Sequence, residues 1–137
     1  MALQIARAQV EVIIEHARQE FPNECCGLLA GRQGSVEFLC RGQNIDQSPY
    51  TYRLDPREQL QFFKEIDARE QELLGIYHSH TQSEAYPSRT DVAKAYYQEA
   101  VYVIVSVREP SAPREAMDVR AFRIRDGLIT EEELVVA

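Results

Sequence analysis

Leu73-Leu74-Gly75-Ile76-Tyr77-His78-Ser79-His80 decides how this 137-residue chain is read. The run is short and apolar at first, and it ends in two histidines one residue apart. As a strand of period two it places His78 and His80 on one face and Ser79 on the other. After seven further residues, Ser88-Arg89-Thr90-Asp91 reads as a helix start, with Ser88 as N-cap and Asp91 in the first turn. The carboxylate then sits beside the strand end that carries the imidazoles. A His-x-His pair alone is a weak signal, and Ser-x-x-Asp caps a helix whether or not a metal is near. Taken together they form a tripod of two imidazoles and one carboxylate. That set suits Zn²⁺, and three protein ligands leave a position for water, as a catalytic rather than a structural site requires.

Working outward, Val101 to Val107 is the strongest strand signal, dense in β-branched residues. Glu24 to Ala30 and Ser35 to Cys40 flank Gln33-Gly34 as a hairpin. Tyr50 to Leu54 reads as a short edge strand, and Met117 to Arg125 and Leu128 to Val136 as two strands either side of Gly127. Ile5, Ala8, Val12, Ile13 and Ala17 have the one-face spacing of a helix running to about Gln19. His16 lies on it and reads as surface or core-edge packing. Asp55-Pro56-Arg57-Glu58 starts a second helix that reaches about Gln71 through Leu60, Phe63 and Ile66. A third helix is expected from Ser88 to near Ala100. Helices and strands intermix without strict alternation, which predicts an α/β fold of mixed α+β character. The expectation is a single three-layer domain over residues 1–137, with helices on both faces of a mixed sheet.

Composition narrows the function. Lys and Arg number 15 against 22 Asp and Glu, a formal charge of −7, which repels phosphate backbones and anionic lipid. No nucleic-acid or membrane partner is expected. The apolar runs fall far short of the roughly 20 residues of a membrane span, and Met1 to Gln9 does not read as a secretory signal. The expected location is cytoplasmic. Cys25, Cys26 and Cys40 are odd in number and include an adjacent pair, so they read as buried thiols rather than a disulfide framework.

The spacing His78-x-His80, seven residues, Ser88, two residues, Asp91 resembles the metalloprotease motif of the JAMM family, also called the MPN+ domain. Asn23-Glu24-Cys25-Cys26-Gly27-Leu28-Leu29-Ala30-Gly31 resembles that family's first strand, where a glutamate precedes a Cys-Gly-Leu-Leu run. Thr81 departs from the pattern, since many members carry proline directly after the second histidine. The resemblance implies a cytidine deaminase-like fold, one Zn²⁺ per chain on His78, His80 and Asp91, Glu24 as general acid/base, and Ser88 as a donor to the oxyanion. It also implies cleavage after the C-terminal Gly-Gly of a ubiquitin-like or sulfur-carrier protein, the substrate of short prokaryotic-type members. Tyr50 to Leu54 and the loop Thr81 to Tyr86 are the expected walls for such a tail.

Three other functions are weighed on the same residues. A zinc deaminase expects His-x-Glu and a later Pro-Cys-x-x-Cys, and neither is in this sequence. A cysteine hydrolase would use Cys25 or Cys26 with His78 as base. A non-catalytic interaction module of the same fold has no need for the full set of ligands, all of which this chain carries.

Overall fold

Alternating burial shapes the strands and one-sided burial the helices, in the order β1 (Leu3–Ile5), α1 (Arg7–Glu20), β2 (Cys26–Arg32), β3 (Ser35–Arg41), α2 (Pro56–Ala68), β4 (Glu72–His80), α3 (Arg89–Ala93), β5 (Val101–Ser106), β6 (Asp118–Arg125), β7 (Leu128–Glu132) and β8 (Leu134–Val136). The computed structural model describes residues 2–137. One mixed sheet runs β7-β6-β5-β4-β2-β3-β1-β8. β4 pairs in parallel with β5 and antiparallel with β2, which puts the histidine-bearing strand in the sheet interior. Glu133 alone separates β7 from β8, although the two pair at opposite ends of the strand order, so the sheet curls until its ends come together.

Three layers form as the hydrophobic pattern requires. Val10, Ile13, Ile14 and Ala17 of α1 pack on Leu29, Tyr77 and the inward valines of β5. On the opposite face Ile66, Phe62 and Phe63 of α2 pack on Leu28, Ala30, Ile76 and Tyr102. Leu28 and Leu29 thus serve different cores, as the period of two in β2 dictates. Burying each such side chain contributes roughly 1.5–3 kcal/mol.

Besides small shifts in β2, which begins at Cys26 and ends at Arg32, and in α2, which ends at Ala68, four elements differ from the sequence expectation. Ile5 belongs to β1, because Leu3 and Ile5 alternate inward and pair with β8, and the helix begins only after Ala6. Residues 50–54 make no strand beyond a bridge of Leu54 to Asn44, since the Asn44 side chain takes the Thr51 carbonyl and the Arg53 N–H that a ladder would use. α3 stops at Ala93 rather than Ala100, with the Tyr97 N–H turned to the Tyr102 hydroxyl instead of a helical carbonyl. The last strand is broken at Glu133, whose carbonyl accepts from Leu3.

His16 is core rather than surface: it is 3% exposed, and its Nδ1 lies 2.7 Å from the Tyr77 hydroxyl. Burial, aided by the Arg41 charge and only partly offset by a backbone bond at Gly42, lowers its pKa to about 4. The unfolded chain binds this proton near pH 6.5 and the folded chain only near 4, so acid favours unfolding across that window and stability returns as pH rises through it. His16→Asn should therefore lose about 3 kcal/mol less than the parent protein between pH 7 and pH 4 in urea titrations, whatever its absolute stability.

Candidate metal centre

The antiparallel register of β2 on β4 pairs Cys26 with His78. Continued two residues past the start of β2, the same register sets Glu24 opposite His80, on the face of both histidines. Backbone and side-chain bonds hold this extension: the Cys25 N–H donates to Ser79 Oγ at 2.8 Å and the Ser79 N–H to the Cys25 carbonyl at 3.2 Å. Ser79 points away from the histidines, as expected, and its hydroxyl bonds the residue next to Glu24.

His78 and His80 share a face as predicted, and their Nε2 atoms stand 3.2 Å apart. Asp91 Oδ2 lies 3.2 Å from the first and 2.9 Å from the second. Ser88 caps α3, its Oγ accepting from the Asp91 N–H at 3.1 Å while the Ser88 N–H donates back to Asp91 Oδ2 at 2.9 Å. The capping box therefore fixes the same carboxylate oxygen that faces both imidazoles.

The donor chemistry fits a cation. His80 Nδ1 lies 2.8 Å from the Glu84 carbonyl, a pure acceptor, so Nδ1 carries a proton and Nε2 is the nitrogen that could ligate an ion. Ligand atoms of His78, His80 and Asp91 all lie within 4.8 Å of one another. Lone pairs this close to one carboxylate oxygen repel unless a proton or metal ion lies among them. Two imidazoles and a carboxylate suit Zn²⁺ among the available ions.

Burial sets the protonation of the surrounding groups. Desolvation lowers the pKa of fully buried His78 despite the nearby Asp91 charge. For His80 desolvation acts in the same direction, but bonds to Asp91 and the Glu84 carbonyl outweigh it and the net shift is upward. Asp91 is held well below the usual carboxylate range, because the histidines and the Ser88 N–H overcome its burial. Glu24 is 3% exposed; burial, with Asp91 adding to it and His80 opposing, raises its carboxyl to about 8. Its Oε1 has no hydrogen-bond partner among the described residues.

Two features were not legible in the sequence. The Tyr52 ring stacks on His78 with centroids 4.4 Å apart and planes at 23°, which fixes the imidazole's tilt. The Thr81 hydroxyl donates to the Pro49 carbonyl at 3.0 Å, so the residue that departs from the family pattern ties the strand end to the 44–55 segment. Cys25 and Cys40 are pushed up to about 12 by burial, and Cys26 also rises, which keeps the thiols protonated and argues against a cysteine nucleophile. Among the described residues no helix is long and apolar enough to cross a membrane.

Comparison with known proteins agrees with this geometry. The model of prokaryotic homologs of the JAB domain matches residues 6–125. A CysO-cysteine peptidase of Mycobacterium tuberculosis is 43% identical over 129 residues, covering 93% of this chain and 86% of that protein. A desampylase of Haloferax volcanii is 33% identical over 111 residues, covering 76% of this chain and 80% of that protein. The solution structure of a protein from Desulfitobacterium hafniense superposes with a TM-score of 0.87 at 35% identity, covering 100% of this chain and 93% of that one.

Because Ser88 Oγ satisfies a helix N–H, Ser88→Ala should cost about 1 kcal/mol of unfolding free energy in metal-free protein, measured by urea titration.

Proposed function

This chain belongs to the prokaryotic JAB-domain family, and from that premise we propose that it is a zinc metallopeptidase. Its substrate is a ubiquitin-like or sulfur-carrier protein, and it cleaves the bond that follows the carrier's C-terminal Gly-Gly. The observation that carries this proposal is the convergence of His78, His80 and Asp91 beside a buried carboxylate, Glu24, with an unpartnered oxygen. The names of the relatives support the substrate class: one is a CysO-cysteine peptidase and another a desampylase.

His78, His80 and Asp91 hold the ion. When bound, zinc supplies a Lewis acid that polarises a carbonyl and acidifies water toward neutrality. Everything else belongs to the chain. Glu24 takes a proton from the attacking water at its free Oε1 and delivers it to the leaving amine. Burial raises this carboxyl to about 8 in the metal-free chain, and the charge of an ion on the triad would bring it back toward the carboxylate that accepts a proton. The Ser88 oxygen accepts the Asp91 N–H, so its own O–H is free to donate to the oxyanion that forms at the carbonyl.

The tail approaches along an apolar cavity of about 360 Å³ that Leu28, Tyr52, Ile76 and Tyr102 line and that Asp91 also borders. Residues 50–54 contribute side chains to this wall rather than a free strand edge, because the Asn44 side chain and the Ile45 N–H already engage the backbone of Thr51 and Arg53. Two glycines before the cut bond carry no side chains, so the tail can lie close against this wall on its way to the triad.

Three variants separate these roles on a carrier protein extended beyond Gly-Gly. Glu24→Gln should retain about one zinc per chain by elemental analysis while turnover falls by roughly 10²–10⁴. His80→Ala should lose both zinc and turnover, and chelator should abolish cleavage by the parent protein. Normal turnover by Glu24→Gln would overturn the mechanism. Tyr52→Ala should raise KM about tenfold, equivalent to roughly 1.4 kcal/mol of lost binding; unchanged KM removes this wall from the groove.

A further inference from the structure

Asn44 is a buried polar residue, 8% exposed, outside the metal triad and outside every regular element. Its side chain uses its full hydrogen-bonding capacity. Nδ2 donates to the Glu24 carbonyl at 3.0 Å and to the Thr51 carbonyl at 3.0 Å. Oδ1 accepts from the Asp46 N–H at 3.0 Å and from the Arg53 N–H at 3.0 Å. Two carbonyls on one side and two N–H groups on the other leave a single orientation for the amide. No apolar residue replaces it without stranding two buried carbonyls.

What the amide joins is the proposed proton carrier and the segment that buttresses the metal ligands. The Glu24 N–H donates to the Ser48 carbonyl at 2.9 Å, so both backbone groups of Glu24 are taken up by residues 44–48. Thr51 and Arg53, held by the same amide, flank Tyr52, whose ring lies on His78. No other side chain among the described bonds reaches both the backbone of Glu24 and the two neighbours of Tyr52.

 

On the peptidase reading above, on which this inference rests, we infer that Asn44 is a positioning residue for the hydrolysis. Its amide holds the Glu24 main chain and the Tyr52 ring in fixed relation to His78, His80 and Asp91. Asn44 touches neither metal ligand nor substrate; it acts through Glu24 and Tyr52. Displacing a reacting group by about 1 Å costs on the order of 10²-fold in rate, which is the scale of effect available to such a residue.

Asn44→Asp tests this most cleanly. It keeps the shape and both accepting contacts, to Asp46 and Arg53, and sets oxygen against oxygen at the Glu24 and Thr51 carbonyls. In the zinc-loaded protein acting on a carrier extended beyond Gly-Gly, kcat should fall roughly 10- to 100-fold, with any rise in KM smaller than the roughly tenfold of Tyr52→Ala and zinc content unchanged. Combined with Glu24→Gln, Asn44→Asp should lower the residual rate by clearly less than it lowers that of the parent, since the share of its effect carried by Glu24 is already lost. A readout independent of activity is solvent exchange of the Asn44 side-chain amide protons by NMR in the parent protein, expected to be slow, and this carries the test should Asn44→Asp fail to fold. Wild-type kcat in Asn44→Asp, an equal loss in the Glu24→Gln background, or amide exchange as fast as that of exposed asparagines overturns the inference. A parent protein that shows no chelator-sensitive cleavage overturns the peptidase reading, and this inference with it.

Discussion

The antiparallel pairing of β2 on β4 is the constraint on which the site depends. It is the pairing that brings Glu24, more than fifty residues away in sequence, to the face of His78 and His80. A slip of one residue would turn Glu24 to the α1 side and leave the triad without the carboxylate proposed as its proton carrier. The register is protected from both faces. Leu28 and Leu29 are committed to different cores, and Gly27 admits the Tyr77 ring where a Cβ would collide with that ring and with the Cys40 carbonyl. Ser79, between the two histidines, adds a bond to the Cys25 N–H that only this register allows.

Buried polar groups are otherwise well partnered in this fold. Four buried side-chain atoms lack a partner among the described residues, and two of them, Glu24 Oε1 and His78 Nδ1, belong to the site. Unsatisfied buried groups carry a cost of about 1–3 kcal/mol each, and a fold retains them where a ligand or a reaction uses them. The surrounding polar framework follows the opposite rule. Asn44, Ser79 and Thr81 are each bonded to backbone, and together they hold the strand ends and the 44–55 segment against one another.

Much of this was legible in the sequence for a physical reason. The period of two set His78 and His80 on one face, and the Ser88 capping box set Asp91 beside them; both are local rules that short stretches obey on their own. The resemblance to the JAMM motif added Glu24, which no local rule singles out. What escaped was non-local. Tyr50 to Leu54 alternates like a strand, yet the Asn44 amide captures its backbone from a distance, a competition that propensity does not register. The Asn44-Ile45-Asp46 stretch carries the signal that could have marked it, an Asx turn in which Oδ1 accepts the N–H two residues on. α3 was expected to run to Ala100 on helix-forming residues, but the Tyr102 hydroxyl on β5 takes a backbone N–H from that segment. His16 looked peripheral because its partner, Tyr77, lies sixty-one residues away.

The electrostatics of the centre tie the ion to the proton carrier. Burial, with the Asp91 charge adding to it and His80 opposing, raises the Glu24 carboxyl to about 8. A divalent cation on the triad reverses the balance, since its charge favours the carboxylate and offsets Asp91. On the proposed reading, Glu24 would then be a competent base with the ion bound and an acid of moderate strength once protonated. The carboxylate is not one of the three grouped ligand residues, and its Oε1 has no partner among the described residues, as the proposed transfer requires. The net charge of −7 works in the same direction at longer range by attracting cations to the chain.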